Sequence, residues 1–562
     1  MDKQSTEILE IVFHKIGHFW QDSGLIGFKN ILSKINEEND HKISIKLDED
    51  HFVVSGTQKD IQESLNKSYD ALINEYYNIS TELQKQDKEK YNFYYDNRKD
   101  DFYMFPKRKA RGIAWLIFDQ PPKASAQQVK WKNKTKHILP EEYSHLQKRL
   151  DSFIEQNNLT NITSSAMLID GPNEVKPTLD LDISKPQNKK RYECCICGAP
   201  AANCYEVGST ILPLLTGASG GLSFNSNGGS PEKACWKCAL LGKFVPVNGF
   251  YYRSKNSLFT FFPYSSSLKK MDEIYPAMNA TKSTDPNYNQ NFDTSLGTYF
   301  QKSFEVAFAF FYTLYSKLVK EGNNNTSIRE DLDNLYGIDI LDTNVNFYIL
   351  TATHTGSTFA IKSLWLFQDT LYIFKLFNAL EQQVSIDMKE FMRLLIDYDA
   401  QNDGMTLYRN RICERILKKK SVLDLLEQYV YHSNRNKKTG YIKPLFDFLM
   451  FYEANIGGKE KMTSEEQSAA VTLGKRIGYA IGKEEDGRKS DLYTLRRTKS
   501  RVAFLEQLNR LQFRMGGTLT IPPEIYEGSL SNKNFKEFKQ FCMIAALNSF
   551  FAAKSNIKKG TE

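Results

Sequence analysis

The chain has 562 residues, of which 41% are apolar and 25% charged, with a net charge of +7. That length supplies a large core and about two to four domains, and the balance is that of a soluble globular protein. No stretch approaches the roughly 18 apolar residues of a membrane span, and the opening MDKQSTEILEIVF has neither the basic start nor the long apolar run of a signal peptide.

In chain order, Ile8 to Phe19 has helical apolar spacing, and Trp20-Gln-Asp-Ser-Gly-Leu-Ile-Gly27 breaks it and opens a second helix. Ile43–Leu47 and His51–Val54 alternate as short strands around an acidic turn, and Gln62 to Leu83 returns to helical spacing. Residues 101–140 carry a net charge of +7 about a Pro121-Pro122 loop. Ala166–Asp170 and Thr178–Ile183 are expected as strands leading into a cysteine-rich region, and the Gly/Ser/Asn-rich stretch Thr216 to Ser230 is expected as a loop. Phe300 to Leu318 reads as an apolar helix, Phe347–Leu350 and Thr358–Ile361 as extended, and helices dominate from about Leu364. Asn455–Glu460 has linker composition, and residues 456–562 again carry +7, leaving −7 for the remainder. Two basic regions on an otherwise slightly acidic chain suggest contact with polyanions.

The pattern predicts a multidomain α+β protein. Residues 1–190 form an α+β nucleic-acid-binding part and 191–255 an inserted zinc ribbon with the Gly-rich loop. Residues 256–455 form a mainly helical body, and 456–562 a basic helical bundle.

The cysteines carry the sharpest signal. Eight cysteines in this length, four of them in CxxC pairs, indicate a reducing cytoplasm and metal binding, not a disulfide framework. Cys194-Cys-Ile-Cys197-Gly198 and Cys235-Trp-Lys-Cys238 each turn two thiolates toward one point. Four thiolates satisfy tetrahedral Zn2+ and leave no position for a reactive water, so a structural zinc on Cys194, Cys197, Cys235 and Cys238 is expected. Cys195 and Cys204 remain alternative ligands, and Cys413 and Cys542 fall in helical runs as buried residues.

Basic residues form two further candidate sites. As a strand, Val129 to Lys136 would place Lys130, Lys132, Lys134 and Lys136 on one face, about 7 Å apart, suited to a phosphate backbone. The alternative is an edge strand protected by lysine. Lys107, Arg108, Lys109 and Arg111 add to the first site. In one C-terminal helix, Arg496, Lys499, Arg510 and Arg514 share a narrow arc, with Phe504, Leu505 and Leu508 turned away from it.

Other patterns fail their chemistry. His14 and His18 lack the glutamate of HExxH, with Lys15 in its place. Asp180 and Asp182 have no third carboxylate. Asp397 to Gly404 lacks the glycine and glutamate of an EF-hand, and Gly217 to Gly221 lacks the Lys-Ser/Thr of a P-loop. There is no His-Asp and no Gly-Gly-Asp-Asp, and no convincing catalytic centre, so the chain is expected not to be an enzyme.

The four cysteines, the Gly-rich stretch between them, Trp20 to Gly27 and the basic helical end together resemble the large subunit of type I CRISPR Cascade complexes, most closely the type I-B form. The resemblance implies a cytoplasmic antiviral-defence subunit that caps a crRNA-guided ribonucleoprotein complex beside other Cascade subunits. Such a subunit recognises the PAM in target double-stranded DNA, aids strand opening, and presents the displaced strand to a helicase-nuclease, with no membrane partner. The C-terminal bundle would be equivalent to the small subunit, and could also be translated separately from Met462. An inactive polymerase/cyclase-like large subunit of type III complexes, or a stand-alone zinc-ribbon nucleic-acid-binding protein, is the alternative.

Overall fold

The computed structural model describes residues 8–76, 80–81, 93–104, 127–160, 162, 164–170, 174–175, 181, 183, 192–201, 204–206, 233–278, 292–297, 299–321, 345–355, 358–398, 400–401, 404–433, 442–457, 462–484 and 489–560. The fold is mixed α+β, and the chain divides into two units, residues 1–292 with 345–367 and residues 293–344 with 368–562.

Ile8–His14, where apolar spacing suggests a helix, is strand β1. It pairs antiparallel with His51–Thr57 (β3), which also pairs with Ser44–Leu47 (β2). A run of seven residues is too short to fix a period, and pairing decides it. Ile11 and Phe13 then turn inward opposite Val54 and Phe52. Helices α1 (Phe19–Glu38) and α2 (Gln58–Tyr76) cover this sheet. Phe28 of α1 meets Phe13, Phe52 and Phe244 at 5.2, 5.8 and 5.0 Å between ring centres.

A second sheet is built from Phe93–Asp96 (β4), Asp101–Met104 (β5), Gln127–Lys130 (β6) and Ala166–Ile169 (β7), in the order β5-β4-β7-β6. The β4–β7 pair is parallel and the other two are antiparallel. Helix α3 (Gln147–Gln156) buries Leu150 against Phe93, Phe102, Val129 and Met167, a core separate from that of the first sheet.

Four short strands follow: Tyr192–Glu193 (β8), Pro200–Ala201 (β9), Cys204–Glu206 (β10) and Lys233–Cys235 (β11). Helix α4 (Trp236–Phe244) runs directly on from β11 and packs so closely on α1 that side chains are excluded. A Cβ at Gly24 would lie 1.9 Å from the Leu241 carbonyl oxygen, and one at Gly27 2.3 Å from that of Phe244. The expected break at Trp20–Gly27 is therefore the first turns of α1, with its glycines serving helix contact. Phe250–Ser254 (β12), Ser257–Tyr264 (β13), Asn346–Thr355 (β14) and Thr358–Phe367 (β15) form an antiparallel meander, with α5 (Leu268–Met278) after β13. Helix α1 rests on this meander through Trp20 on Phe262 and Phe19 stacked on Tyr348. Within 256–455 the extended segments expected at Phe347–Leu350 and Thr358–Ile361 are longer than the pattern suggested, because β13, β14 and β15 pair along eight to ten residues each. Short apolar runs serve a sheet as well as they serve a helix.

The second unit is helical among its described residues. It comprises α6 (Ser303–Tyr315), α7 (Thr370–Gln382), α8 (Met388–Leu394), α9 (Leu407–Leu417), α10 (Leu423–Ser433) and α11 (Lys443–Tyr452). Then come α12 (Ser464–Lys483), α13 (Lys489–Arg496), α14 (Arg501–Arg514) and α15 (Phe535–Gly560). A buried ion pair fixes the start of α6: Arg409 Nε donates to Glu305 Oε2 at 2.6 Å. Glu305 Oε1 accepts the N–H groups of Gln301 and Lys302 at 2.7 and 2.9 Å. Just after Met462, Thr463 and Glu466 form a reciprocal capping box on α12. Gly474, Gly478 and Gly482 then bring α12 against α15, where a Cβ at Gly478 would sit 2.0 Å from the Ala546 carbonyl oxygen.

Candidate metal centre and basic surfaces

The first cysteine pair sits in the turn of the β8–β9 hairpin, whose register pairs Glu193 with Pro200. The Cys194 N–H donates to the Ala199 carbonyl at 3.0 Å and the Gly198 N–H to the Cys194 carbonyl at 2.8 Å, with Gly198 at φ +71. Glycine takes that left-handed conformation without penalty. The second pair straddles the junction of β11 with α4, so Cys235 is the N-cap residue and Cys238 lies in the first turn. There the helix dipole favours negative sulfur.

Pairing of β10 with β11 and a hydrogen bond from the Cys195 N–H to the Lys233 carbonyl bring the two knuckles together. The Sγ atoms of Cys194, Cys197, Cys235 and Cys238 all lie within 4.8 Å of one another, and those of Cys197 and Cys235 are 3.8 Å apart. The Cys235 N–H also points at Cys194 Sγ, 3.2 Å away. Cys194, Cys235 and Cys238 are buried, while Cys197 stands on the solvent side. Cys204 lies opposite Cys235 in the β10–β11 register, and Cys195 is exposed; neither belongs to the group of four.

Four sulfurs this close together perturb one another's ionisation. The S–H of Cys238 and the backbone draw the Cys235 thiol down to about 5. Burial pushes Cys197 up to about 11, and hydrogen bonding to Cys235 together with burial pushes Cys238 further up. One thiolate is thus accommodated by protons on its neighbours, and the four sulfurs are close enough together to hold a metal ion. Lys237, between the second pair, is half-buried: its Nζ donates to the Val12 carbonyl at 2.8 Å and lies 5.5 Å from the Phe13 ring centre. Burial lowers its pKa, opposed by the charges of Cys235, Cys197 and Cys238. Lys237 and Trp236, whose ring meets Phe13 at 6.0 Å, fasten the centre to β1. Sequence reasoning missed Lys237, because its partner is more than 200 residues away.

The basic residues are brought together less well. Lys107, Arg108, Lys109 and Arg111 lie outside the described residues, as do Asp180, Asp182 and the Gly-rich stretch Thr216 to Ser230. Strand β6 ends at Lys130, so the one-face row of four lysines is not formed. Asn133 accepts the N–H groups of Thr135 and Lys136 at 3.0 and 3.1 Å, and the Ile138 N–H returns to the Asn133 carbonyl. This turn carries Lys134 and Lys136 out of alternation. Lys132 meets Glu141 at 3.4 Å in an exposed pair. Strand β6 is at the sheet margin, as the lysine-protected edge alternative requires.

The single C-terminal helix is also corrected. It breaks between α13 and α14, where Ser500 caps the second helix, so the four-residue arc does not carry across. Arg496 is occupied by a two-pronged contact with Glu427 at 2.5 and 3.0 Å, and Arg514 pairs with Asp491 at 2.7 Å. Lys499 and Arg510 are exposed, and Phe504 and Leu508 are buried as expected. His14 belongs to β1 and His18 precedes α1, so the helical pair does not exist. Asp397 is buried beside His432 at 3.3 Å, and Cys413 and Cys542 are buried.

Among the described residues no helix is long and apolar enough to cross a membrane. No protein-family model matches the chain, and no curated protein matches it.

Proposed function

We propose that the chain is the non-catalytic large subunit of a crRNA-guided DNA surveillance complex of the type I Cascade kind, stapled by one Zn2+ on Cys194, Cys197, Cys235 and Cys238. The observation that carries the reading is the closed thiolate group at the base of the β10–β11 hairpin. Zinc bonded to four sulfurs at about 2.3 Å requires sulfur–sulfur edges of about 3.8 Å, and the Cys197–Cys235 separation of 3.8 Å fits. Four sulfurs fill the coordination shell, so the ion holds chain segments and activates no water.

The hairpin leaves β10 at Glu206 and re-enters β11 at Lys233, two residues that face each other in register. These two residues, which flank the glycine-rich sequence 207–232, both belong to the knuckle. A glycine-rich segment on a rigid base suits close backbone approach to a DNA groove, and PAM recognition is the role we assign it. Lys130, and the basic stretch from Lys107 to Arg111, supply phosphate contacts.

The test is to express the chain with its neighbouring genes, purify it by a tag, and sequence the RNA that accompanies it. Spacer-bearing RNA with a constant 5′ handle, in company with backbone subunits, is the expected result. A chain that purifies alone and free of RNA would refute the reading and leave a stand-alone nucleic-acid-binding protein.

A further inference from the structure

We propose that the exposed face of α14 is a self-association surface, on which a second copy of this chain packs its own α14 antiparallel about a two-fold axis. The inference rests on the helical unit alone and is independent of the function proposed above.

Helix α14 turns Phe504, Leu508 and Leu511 into the unit. At about 100° per residue, Val502, Glu506, Asn509, Arg510 and Phe513 fall within one arc of about 100° on the opposite side. Two large apolar side chains there face solvent. Phe513 is 88% exposed, more than any other large hydrophobic residue among those described, and Val502 is 63% exposed. The Tyr526 ring, 47% exposed, is fastened to the middle of the row by its hydroxyl, which donates to Asn509 Oδ1 at 2.8 Å. Glu506 and Arg510 are exposed too, and neither makes an ion pair among the described residues.

The order of these residues is self-complementary. The midpoint between Val502 and Phe513 and the midpoint between Glu506 and Arg510 lie less than about 1 Å apart along the helix axis. A two-fold axis there sets Val502 against the second copy's Phe513 at both ends. It also sets Glu506 against the second copy's Arg510 twice, as a contact between identical patches requires. Each exposed apolar side chain is then covered by another, and each charge meets its opposite. A parallel pairing would oppose Glu506 to Glu506 and Arg510 to Arg510, which costs free energy. Glu506 in the middle of the row likewise disfavours a phosphate backbone. The row is about 16 Å long. A helix pair over that length buries about 1,000 Å² in all, at the low end for specific contacts. The dimer is therefore weak and concentration-dependent, with Kd about 10–100 μM.

Sedimentation velocity of the full chain between about 1 and 200 μM reads the association. The parent should pass from monomer to dimer. Phe513→Asp, at an exposed position, should melt like the parent and stay monomeric. Glu506→Arg and Arg510→Glu each set like charges together at two places and should weaken the dimer about tenfold. Mixing these two single variants brings opposite charges together at every contact of the mixed dimer. The equimolar mixture should therefore associate as tightly as the parent, a recovery that damaged folding could not produce. The double variant Glu506→Arg with Arg510→Glu exchanges the charges and should return to within about threefold of the parent.

A parent that stays monomeric at the highest concentration would overturn the proposal, as would a dimer indifferent to Phe513→Asp. Single charge variants that associate like the parent, or a mixture no tighter than its components, would overturn the antiparallel arrangement. A monomeric chain that binds labelled oligo(dT) through Phe513 would overturn it in favour of a nucleic-acid surface.

Discussion

Replacing Arg409 by methionine should destabilise the helical unit strongly. Arg409 and Glu305 are almost wholly removed from solvent, at 2% and 0% side-chain exposure, and meet at 2.6 Å. The guanidinium also donates to the Tyr299 carbonyl and lies 4.7 Å from the Phe300 ring centre. Arg409→Met keeps much of the volume but leaves the Glu305 carboxylate buried with only the N–H groups of Gln301 and Lys302 as partners. Orphaning one member of a buried pair costs about 3–5 kcal/mol. In a unit of this size that is a fall of about 6–20 °C in melting temperature. The pair Arg409→Met with Glu305→Gln removes both charges and should recover most of the loss. Circular dichroism melts and denaturant titrations of parent, single and double variants close the cycle. A loss under about 1 kcal/mol for Arg409→Met, or a double variant as unstable as the sum of the singles, would refute the reasoning.

Metal analysis should find one zinc per chain; Cys235→Ser should lose it, whereas Cys204→Ser should keep it, and retention in the first variant would contradict the assigned ligands. Glu453 accepts the N–H groups of Val422 and Leu423 at 2.7 and 3.2 Å, and burial raises its carboxyl above the ordinary 4.5. Its contribution to stability is therefore complete below that value and declines as pH rises through the raised one. Glu453→Gln should flatten this slope, and parallel slopes for parent and variant would count against it. Shortening residues 216–230 should impair discrimination of PAM-bearing duplex while sparing the metal, and undiminished discrimination would make the segment a mere connector. Mass spectrometry of the expressed gene should detect a product beginning at Met462 that vanishes with Met462→Leu. Complete assembly from the long chain alone, with no such product, would end that idea.

The structure bears on that last product. Arg496 is bound to Glu427, the Tyr493 hydroxyl donates to the Tyr431 carbonyl, and the Tyr431 hydroxyl to that of Met543. A piece starting at Met462 would leave these contacts to α10 unmade. Its own coherence would rest on the capped α12 and its glycine contact with α15.

The sequence by itself determined the features whose physics is local. CxxC spacing turns two thiolates toward one point within a single turn, and Gly198 marks the backbone that permits it. Strands at Ser44–Leu47 and His51–Thr57, the apolar α6, and the helical C-terminal part also follow from short-range pattern. Gly474, Gly478 and Gly482 repeat every four residues, a signal of close helix contact that was open to reading. Tertiary structure alone decided what depends on a distant partner. Ile8–His14 is a strand because His51–Thr57 offers it hydrogen bonds, and Phe250–Tyr264 with Asn346–Phe367 is a meander because four apolar runs pair. Lys130 and Lys134 part company because an asparagine turn intervenes, and Arg496 faces Glu427 rather than solvent because α10 lies beside it. Lys237 reaches β1 for the same reason: pairing and packing fix which faces meet, and one-dimensional periodicity does not contain that information.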